Sequence, residues 1–224
     1  MNIIATLRQQ KRLQETLVLG IMSVLCFAFS LFRMGWTQHR TYLFLNWNLF
    51  LAFVPWALSS LLIVFPKLQN RPVLVFTTLG SWLLFFPNAP YILTDLFHLR
   101  LHGNAMPAWF DLTLILCFAW TGLIFGFMSL WDIEKVLTKY MKPVYIPILS
   151  SGLLFLTSFG IYLGRYLRWN SWDIIREPLT LVYDVSDRFI NPVEHPRTWG
   201  MTIFMGLMLN MMYWSLHLVR KRTL

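Results

Sequence analysis

Trp82-Leu83-Leu84-Phe85-Phe86-Pro87-Asn88-Ala89-Pro90-Tyr91-Ile92-Leu93-Thr94-Asp95-Leu96-Phe97-His98 is a run apolar enough for lipid, broken by two prolines and an asparagine before it passes into an Asp and a His three positions apart. A proline inside a helix removes a ladder bond and frees a carbonyl. At membrane depth such freed backbone is tolerated only where protein or trapped water re-satisfies it. The segment is therefore predicted to face a protein interior. Pro87 and Pro90 should end or kink the helix near one membrane face, Asn88 should bond to the liberated backbone, and a polar site should follow.

The surrounding composition fits that environment. Hydrophobic residues make up 57% of 224 positions and charged residues only 13%, with a mean hydropathy of +0.55, whereas a soluble domain carries about 25% charge. Six stretches approach the about 20 apolar residues needed to cross a core of about 30 Å as helix: Thr16 to Phe32, Tyr42 to Phe65, Val73 to Leu93, Trp109 to Trp131, Val144 to Leu163 and Trp199 to Val219. They predict an all-α polytopic membrane helix bundle of six transmembrane helices, one transmembrane domain over residues 1–224. Arg8, Lys11 and Arg12 precede the first run, but no small-residue cleavage pattern follows at Ser30-Leu31-Phe32-Arg33, so it reads as a retained helix. Cys26 and Cys117 each lie in the middle of an apolar run, which argues against a disulfide framework or a thiolate metal site.

The net charge of +9 is concentrated at helix ends and loops. No nucleic-acid motif accompanies it, so it reads as an orientation signal, with the lipid bilayer as partner and no nucleic acid. With the amino terminus cytoplasmic, the inner segments hold eleven cations: Arg8, Lys11, Arg12, Lys67, Arg71, Lys135, Lys139, Lys142, Arg220, Lys221 and Arg222. The outer segments hold eight: Arg33, Arg40, Arg100, Arg165, Arg168, Arg176, Arg188 and Arg197. All six lysines are then inside and every outer cation is arginine, which suggests specific partners for the outer arginines. Trp36, Trp47, Trp109, Trp169, Trp172 and Trp199 fall at the outer helix ends, as in an aromatic belt. No similarity relates the first three spans to the last three, which lowers the expectation of an inverted-repeat transporter.

The last outer loop, from about Arg165 to Arg197, is the one extramembrane piece large enough for structure of its own. Glu177-Pro178 resembles a helix start, and Ile175, Leu179, Val182 and Phe189 recur near helical spacing with Asp184, Asp187 and Arg188 elsewhere. Either an interfacial helix or an irregular packed loop satisfies this pattern.

Candidate chemistry gathers at the same outer face. Asp95 and His98 are helix neighbours, and an Asp that orients a His is the minimum for general base catalysis or metal ligation; the alternative is an Asp95 that only neutralises an outer arginine. His102 could add a third nitrogen. Glu194 and His195 could join Asp95 and His98 around a divalent ion, but no recognisable ligand spacing supports this and no metal is expected. Gly160 and Gly164 form a small-residue face, and Arg165 and Arg168 beyond it could grip a phosphate or carboxylate. Snorkelling to headgroups and ion pairing with Asp95, Asp111 or Asp173 are their other readings. Asn88, Asn170 and Asp173 complete the candidate binding set. Asn46 and Asn48 are two positions apart, so at most one is expected to point inward, as inter-helix glue. Asp111 is expected to cap a helix start, and His39 and His217 read as membrane-interface residues.

The stretches around Asn46-Trp47-Asn48-Leu49-Phe50, Phe86-Pro87-Asn88-Ala89-Pro90-Tyr91 with Thr94-Asp95, and Gly160-Ile161-Tyr162-Leu163-Gly164-Arg165 through Arg168-Trp169-Asn170-Ser171-Trp172-Asp173 resemble the bacterial integral membrane family catalogued as domain of unknown function 1361. The resemblance spans about Asn46 to Asn210. It implies a multi-pass protein of a bacterial inner membrane and assigns no catalytic role to any residue.

Three function classes follow. The first is a polar extracytoplasmic site that binds or processes an anionic, lipid-linked molecule, with Arg165 and Arg168 as clamp and Asp95 with His98 as base. The second is a non-catalytic scaffold or assembly factor in which the polar cluster is a lock. The third is a small-solute transporter, which should carry ionisable groups near mid-bilayer, where here only mild residues such as Ser59, Ser60, Ser150, Thr157 and Asn210 occur. Whether the protein is an enzyme, and with what cofactor, is not legible from these residues. Both termini are expected to be cytoplasmic in a multi-pass protein of the cell membrane. A reporter active only outside the cytoplasm, fused after Leu224, should therefore stay silent; activity there would invert the placement of every motif.

Overall fold

The computed structural model describes residues 12–100 and 106–223. His102 and the cations Arg8 and Lys11 lie outside the described residues. The described residues are mostly helical, without strands, and six helices are long and apolar enough to cross a membrane: Leu13–Thr37, Phe44–Val64, Pro72–Leu99, Ala108–Leu137, Pro143–Tyr166 and Pro196–Arg220. Each covers one of the six predicted runs, as in a multi-pass membrane protein. The chain divides between Lys139 and Tyr140 into two compact units.

Unit 1 contains α1 (Leu13–Thr37), α2 (Phe44–Val64), α3 (Pro72–Phe85), a single turn α4 (Asn88–Tyr91), a 3₁₀ helix (Ile92–Arg100) and α5 (Ala108–Leu137). Helix α5 packs against α1, α2, α4 and the 3₁₀ helix. Its core contacts are Leu114, Ile115, Phe118 and Ala119 with Leu19, Cys26, Leu45, Leu49, Ala52, Ala89 and Ile92. Most exposed side chains on α1, among them Leu17, Ile21, Val24 and Phe32, are apolar. Around a membrane span such residues find lipid, which is as apolar as they are.

The proline-broken stretch behaves as its sequence predicts, by tightening. The α-ladder ends at Phe85, and Pro87 heads the single turn of α4. Ala89 N–H donates to Phe86 O, the carbonyl that Pro90 cannot serve, at 3.1 Å, while Asn88 Nδ2 donates to Phe85 O at 2.9 Å and Thr94 Oγ1 to Tyr91 O at 2.7 Å, so side chains and a shorter turn bond carbonyls along the break. A 3₁₀ helix has three residues per turn and eclipses positions three apart. Along this stretch Phe86, Ala89, Ile92 and Asp95 are all buried, and His98 follows on the same row.

That row approaches α5 at two glycines. A Cβ on Gly122 would stand 2.8 Å from Ala89 O and 2.8 Å from Ile92 Cδ1, and one on Gly126 would stand 2.9 Å from Ala89 Cβ. Gly122 and Gly126 are four apart, the small-residue spacing that lets backbones come together.

Unit 2 contains a short 3₁₀ turn (Pro143–Tyr145), α6 (Ile146–Tyr166), a single turn α7 (Asp173–Arg176), α8 (Pro178–Ile190) and α9 (Pro196–Thr223). α6 and α9 run antiparallel: Asn210 Nδ2 donates to Ser151 O at 3.4 Å, Trp214 Nε1 to Ser151 Oγ at 3.1 Å, and Gly206 lies against the ring of Phe155. Of the two forms open to the last loop, the structure shows the helix, which begins at Pro178 where proline is tolerated in the first turn.

Gly122→Ala should lower stability by about 1–3 kcal/mol, because a methyl there meets a backbone carbonyl that yields only if the whole row shifts. Gly152→Ala, where nothing lies within 4 Å, is the matched control. Thermal melts in detergent that move equally for both variants would contradict this packing.

Candidate functional site

Unit 1 carries buried polar groups at both ends of its helices. At one end Arg12 Nη1 meets Asp132 Oδ2 at 2.6 Å, Ser59 Oγ donates to the same oxygen at 3.0 Å, and Arg12 Nη2 donates to Ser60 Oγ at 2.7 Å. The guanidinium sits 5.3 Å from the ring centre of Trp56. At the other end Arg33 grips Asp111 with both forks, Nε to Oδ1 at 2.5 Å and Nη2 to Oδ2 at 2.9 Å, under the ring of Tyr42 at 4.4 Å. Arg12 and Arg33, which the sequence reading put in opposite cation sets, each have a specific carboxylate partner, so having such a partner does not follow the lysine–arginine split. Asp111 is corrected: it stands in the first turn of α5 without capping it, because the buried Arg33 beside it is a stronger partner than backbone N–H groups.

Asp95 and His98 come together on the 3₁₀ row near the Arg33 end. The Asp95 side chain is 1% exposed and accepts a hydrogen bond from Asn48 Nδ2 at 2.8 Å. His98 Nε2 lies 4.0 Å from Asp95 Oδ1 and its side chain is 31% exposed. The ring is held edge-on by Phe44 at 5.2 Å, and Tyr42 Oη donates to His98 O at 3.4 Å. A carboxyl in the interior with an imidazole at its accessible edge is an arrangement for exchanging a proton with, or donating a hydrogen bond to, something that arrives from outside. At 4.0 Å the two are at ion-pair distance and beyond that of a hydrogen bond.

The two asparagines of α2 also need correction. Asn48 reaches Asp95, and Asn46 Nδ2 donates to Ser30 Oγ of α1 at 3.0 Å, so both point into the unit. Faces nearly opposite on one helix can both be interior when α2 is flanked by α1 on one side and the 3₁₀ helix on another.

Unit 2 places Arg165 in the last turn of α6, whereas Arg168 lies beyond the helix end in the left-handed region, φ 63°, with Trp169 N–H returning to Leu163 O at 3.2 Å. The two are thus not on one helical stripe, and a non-glycine residue in that conformation costs about 1–2 kcal/mol. Asn170 and Asp173 bind one another: Asn170 N–H and Nδ2 both donate to Asp173 Oδ2, at 2.7 and 3.0 Å, which tightens the turn before α7.

A second carboxyl–imidazole pair, which spacing alone did not single out, joins the end of α8 to the start of α9. His195 Nε2 lies 2.7 Å from Asp187 Oδ2, and Asn191 Nδ2 donates to Asp187 Oδ1 at 2.8 Å. The Asn191 and His195 hydrogen bonds hold the Asp187 carboxyl below its ordinary value. Its contribution to stability is therefore present above the unfolded carboxylate range and is lost as the pH falls through the lowered value. The buried Arg188 lies 3.6 Å from Asp184 Oδ1 and 3.8 Å from Asp187 Oδ2, and it also donates to Asp184 O. Its sequence signal was the Asp184, Asp187, Arg188 spacing, with His195 brought back by the turn at Pro192. Among the described residues no group of three His, Cys, Asp or Glu side chains is placed to hold a metal ion.

Residues 47–212 match the family described as protein of unknown function (DUF1361), and the chain belongs to it. No curated protein and no solved structure matches.

A buried pair loses about 3–5 kcal/mol when one partner is removed, yet swapping both for apolar residues is often neutral or stabilising. Arg33→Ala should therefore destabilise the protein by roughly that amount, while Arg33→Met with Asp111→Leu should recover most of the loss. Calorimetry in detergent distinguishes these outcomes; a harmless Arg33→Ala would mean that water reaches the pair.

Proposed function

We propose that this family member is a multi-pass membrane protein that binds the anionic head of a lipid-linked molecule at the end of unit 1 where Asp95 and His98 lie. His98 meets the head and holds or passes a proton; Asp95, fixed by Asn48, orients the imidazole. The observation that carries this reading is the pairing of a fully interior carboxyl with a partly exposed ring at the end of an apolar fold. The buried arginines described in unit 1, Arg12 and Arg33, pair with Asp132 and Asp111. In this proposal the site faces away from the cytoplasm. Asn88 shapes the approach by closing the backbone beneath the row, and on unit 2 Arg165 and Arg168 are candidates to hold an anionic group, with Asn170 and Asp173 fixing the turn that presents Arg168.

A scaffold with no ligand is the second reading, favoured by the two buried ion pairs that lock α1 to α5. Binding separates the two. In detergent, a short-chain phosphatidic acid should bind the wild type at least about tenfold more tightly than His98→Phe, which keeps a ring against Phe44 but loses one hydrogen bond to a charged group. Melting temperature should be nearly unchanged, since the ring is at the surface of the unit. Equal binding by both proteins, or a large fall in melting temperature with unaltered binding, would favour the scaffold.

A further inference from the structure

Helix α8 is amphipathic in an inverted sense. Its charged side turns inward: Arg188 is buried, Trp169 Nε1 donates to Asp184 Oδ2 at 2.8 Å, and Trp199 Nε1 donates to Arg188 O at 3.2 Å. The side that is left exposed is apolar, with Leu179 at 84%, Val182 at 61%, Tyr183 at 72% and Ile190 at 74%. A solvated surface helix would show the opposite arrangement. Just outside the helix Ile175 and Val193 extend the same apolar exposure.

What covers this face follows from its attachments. α8 lies between two spans, one ending at Tyr166 and the next beginning at Pro196. The two tryptophans that bond to it, Trp169 and Trp199, stand at the ends of those spans, the level at which indole rings sit between headgroups and acyl chains. Phe189 continues the connection by packing on Phe159 and Trp199, with ring centres 5.6 and 5.1 Å away. The apolar stripe is thus joined to the apolar spans α6 and α9 near the ends where Trp169 and Trp199 stand. From Arg165 to Arg197 five arginines are balanced by Asp173, Glu177, Asp184, Asp187 and Glu194, so apolar burial and not net charge must supply the attraction.

We propose that α8 lies along the membrane surface, with Leu179, Val182, Tyr183 and Ile190 in the boundary between headgroups and acyl chains and with Asp184 and Arg188 clasped to unit 2. This element contacts bulk lipid, and it does not depend on the site proposed for Asp95 and His98.

The test is spin labelling of the full chain in vesicles of zwitterionic phosphatidylcholine, with Cys26 and Cys117 replaced by alanine. Labels at L179C, V182C and I190C should collide readily with oxygen, which partitions into lipid, and poorly with a water-soluble nickel chelate. T180C, off the stripe, should show the reverse preference. High nickel collision at the three stripe positions would place the face in water and overturn the proposal. Low collision with both reagents would place it against protein, a second copy or another partner, and would overturn it equally. Since the labelled positions are exposed in the fold, each variant is checked first for the wild-type melting temperature, and a second apolar substitution, L179F, should leave the V182C signature unaltered.

Discussion

The close approach of Ala89 to Gly122 and Gly126 sets the rest of unit 1. With the Ala89 carbonyl 2.8 Å from where a Gly122 side chain would begin, the 3₁₀ row has no freedom to ride higher on α5. From Ile92 onward the 3₁₀ helix repeats every three residues, so fixing Ile92 also fixes where Asp95 and His98 emerge. Pro87 and Pro90 contribute by ending the wider α-ladder just before this contact, and Asn88 offsets the loss by bonding Phe85 O. A straight α-helix would rotate Asp95 off the line that Phe86 and Ala89 define. The polar pair is buried on one member and exposed on the other because an apolar packing row happens to end there.

Buried charge is used in two different ways. Arg12 with Asp132 and Arg33 with Asp111 are close, geometrically matched and supported by serine hydroxyls or aromatic faces, so they tie α1 to α5 at both ends. Such pairs add little net stability over apolar replacements, yet each member is costly without the other, which makes them devices of register. In lipid this matters more than in water, because apolar contact barely discriminates one helix pairing from another. Asp95 accepts a hydrogen bond from the neutral amide of Asn48, and an imidazole neighbour sits at 4.0 Å.

Much of the architecture was legible because membrane spans are written in composition. All six apolar runs became helices, and the Pro87-Asn88-Ala89-Pro90 break was readable from what proline does to a ladder. Asp95 and His98 were readable as neighbours because three-residue spacing brings side chains together in α and 3₁₀ helices alike. Long-range partners were not legible. Nothing local to Arg33 points to Asp111, 78 positions away, or to Arg12 as the partner of Asp132. Asn46 and Asn48 misled because the rule that residues two apart diverge says nothing of how many sides of a helix are covered. The glycines of α5 were passed over in favour of Gly160 and Gly164, since small-residue spacing recurs in apolar helices and only the opposing backbone reveals which pair is used.

Inverted amphipathicity in α8 joins these observations. Along most of a water-exposed helix, charge marks the outside. Here Asp184, Asp187 and Arg188 are consumed by Trp169, Asn191, His195 and one another, so the helix turns its charges toward its own unit and leaves leucine, valine and isoleucine facing out. The arrangement suits surroundings less polar than the clasp that α8 makes within unit 2. The same condition explains Asp95, whose carboxyl is interior while neighbouring lipid-facing positions are apolar. In both units the fold keeps its ionisable groups on the protein side, and His98 and His195, each paired with a carboxylate side chain and each still partly exposed, mark where that polar interior reaches the surface.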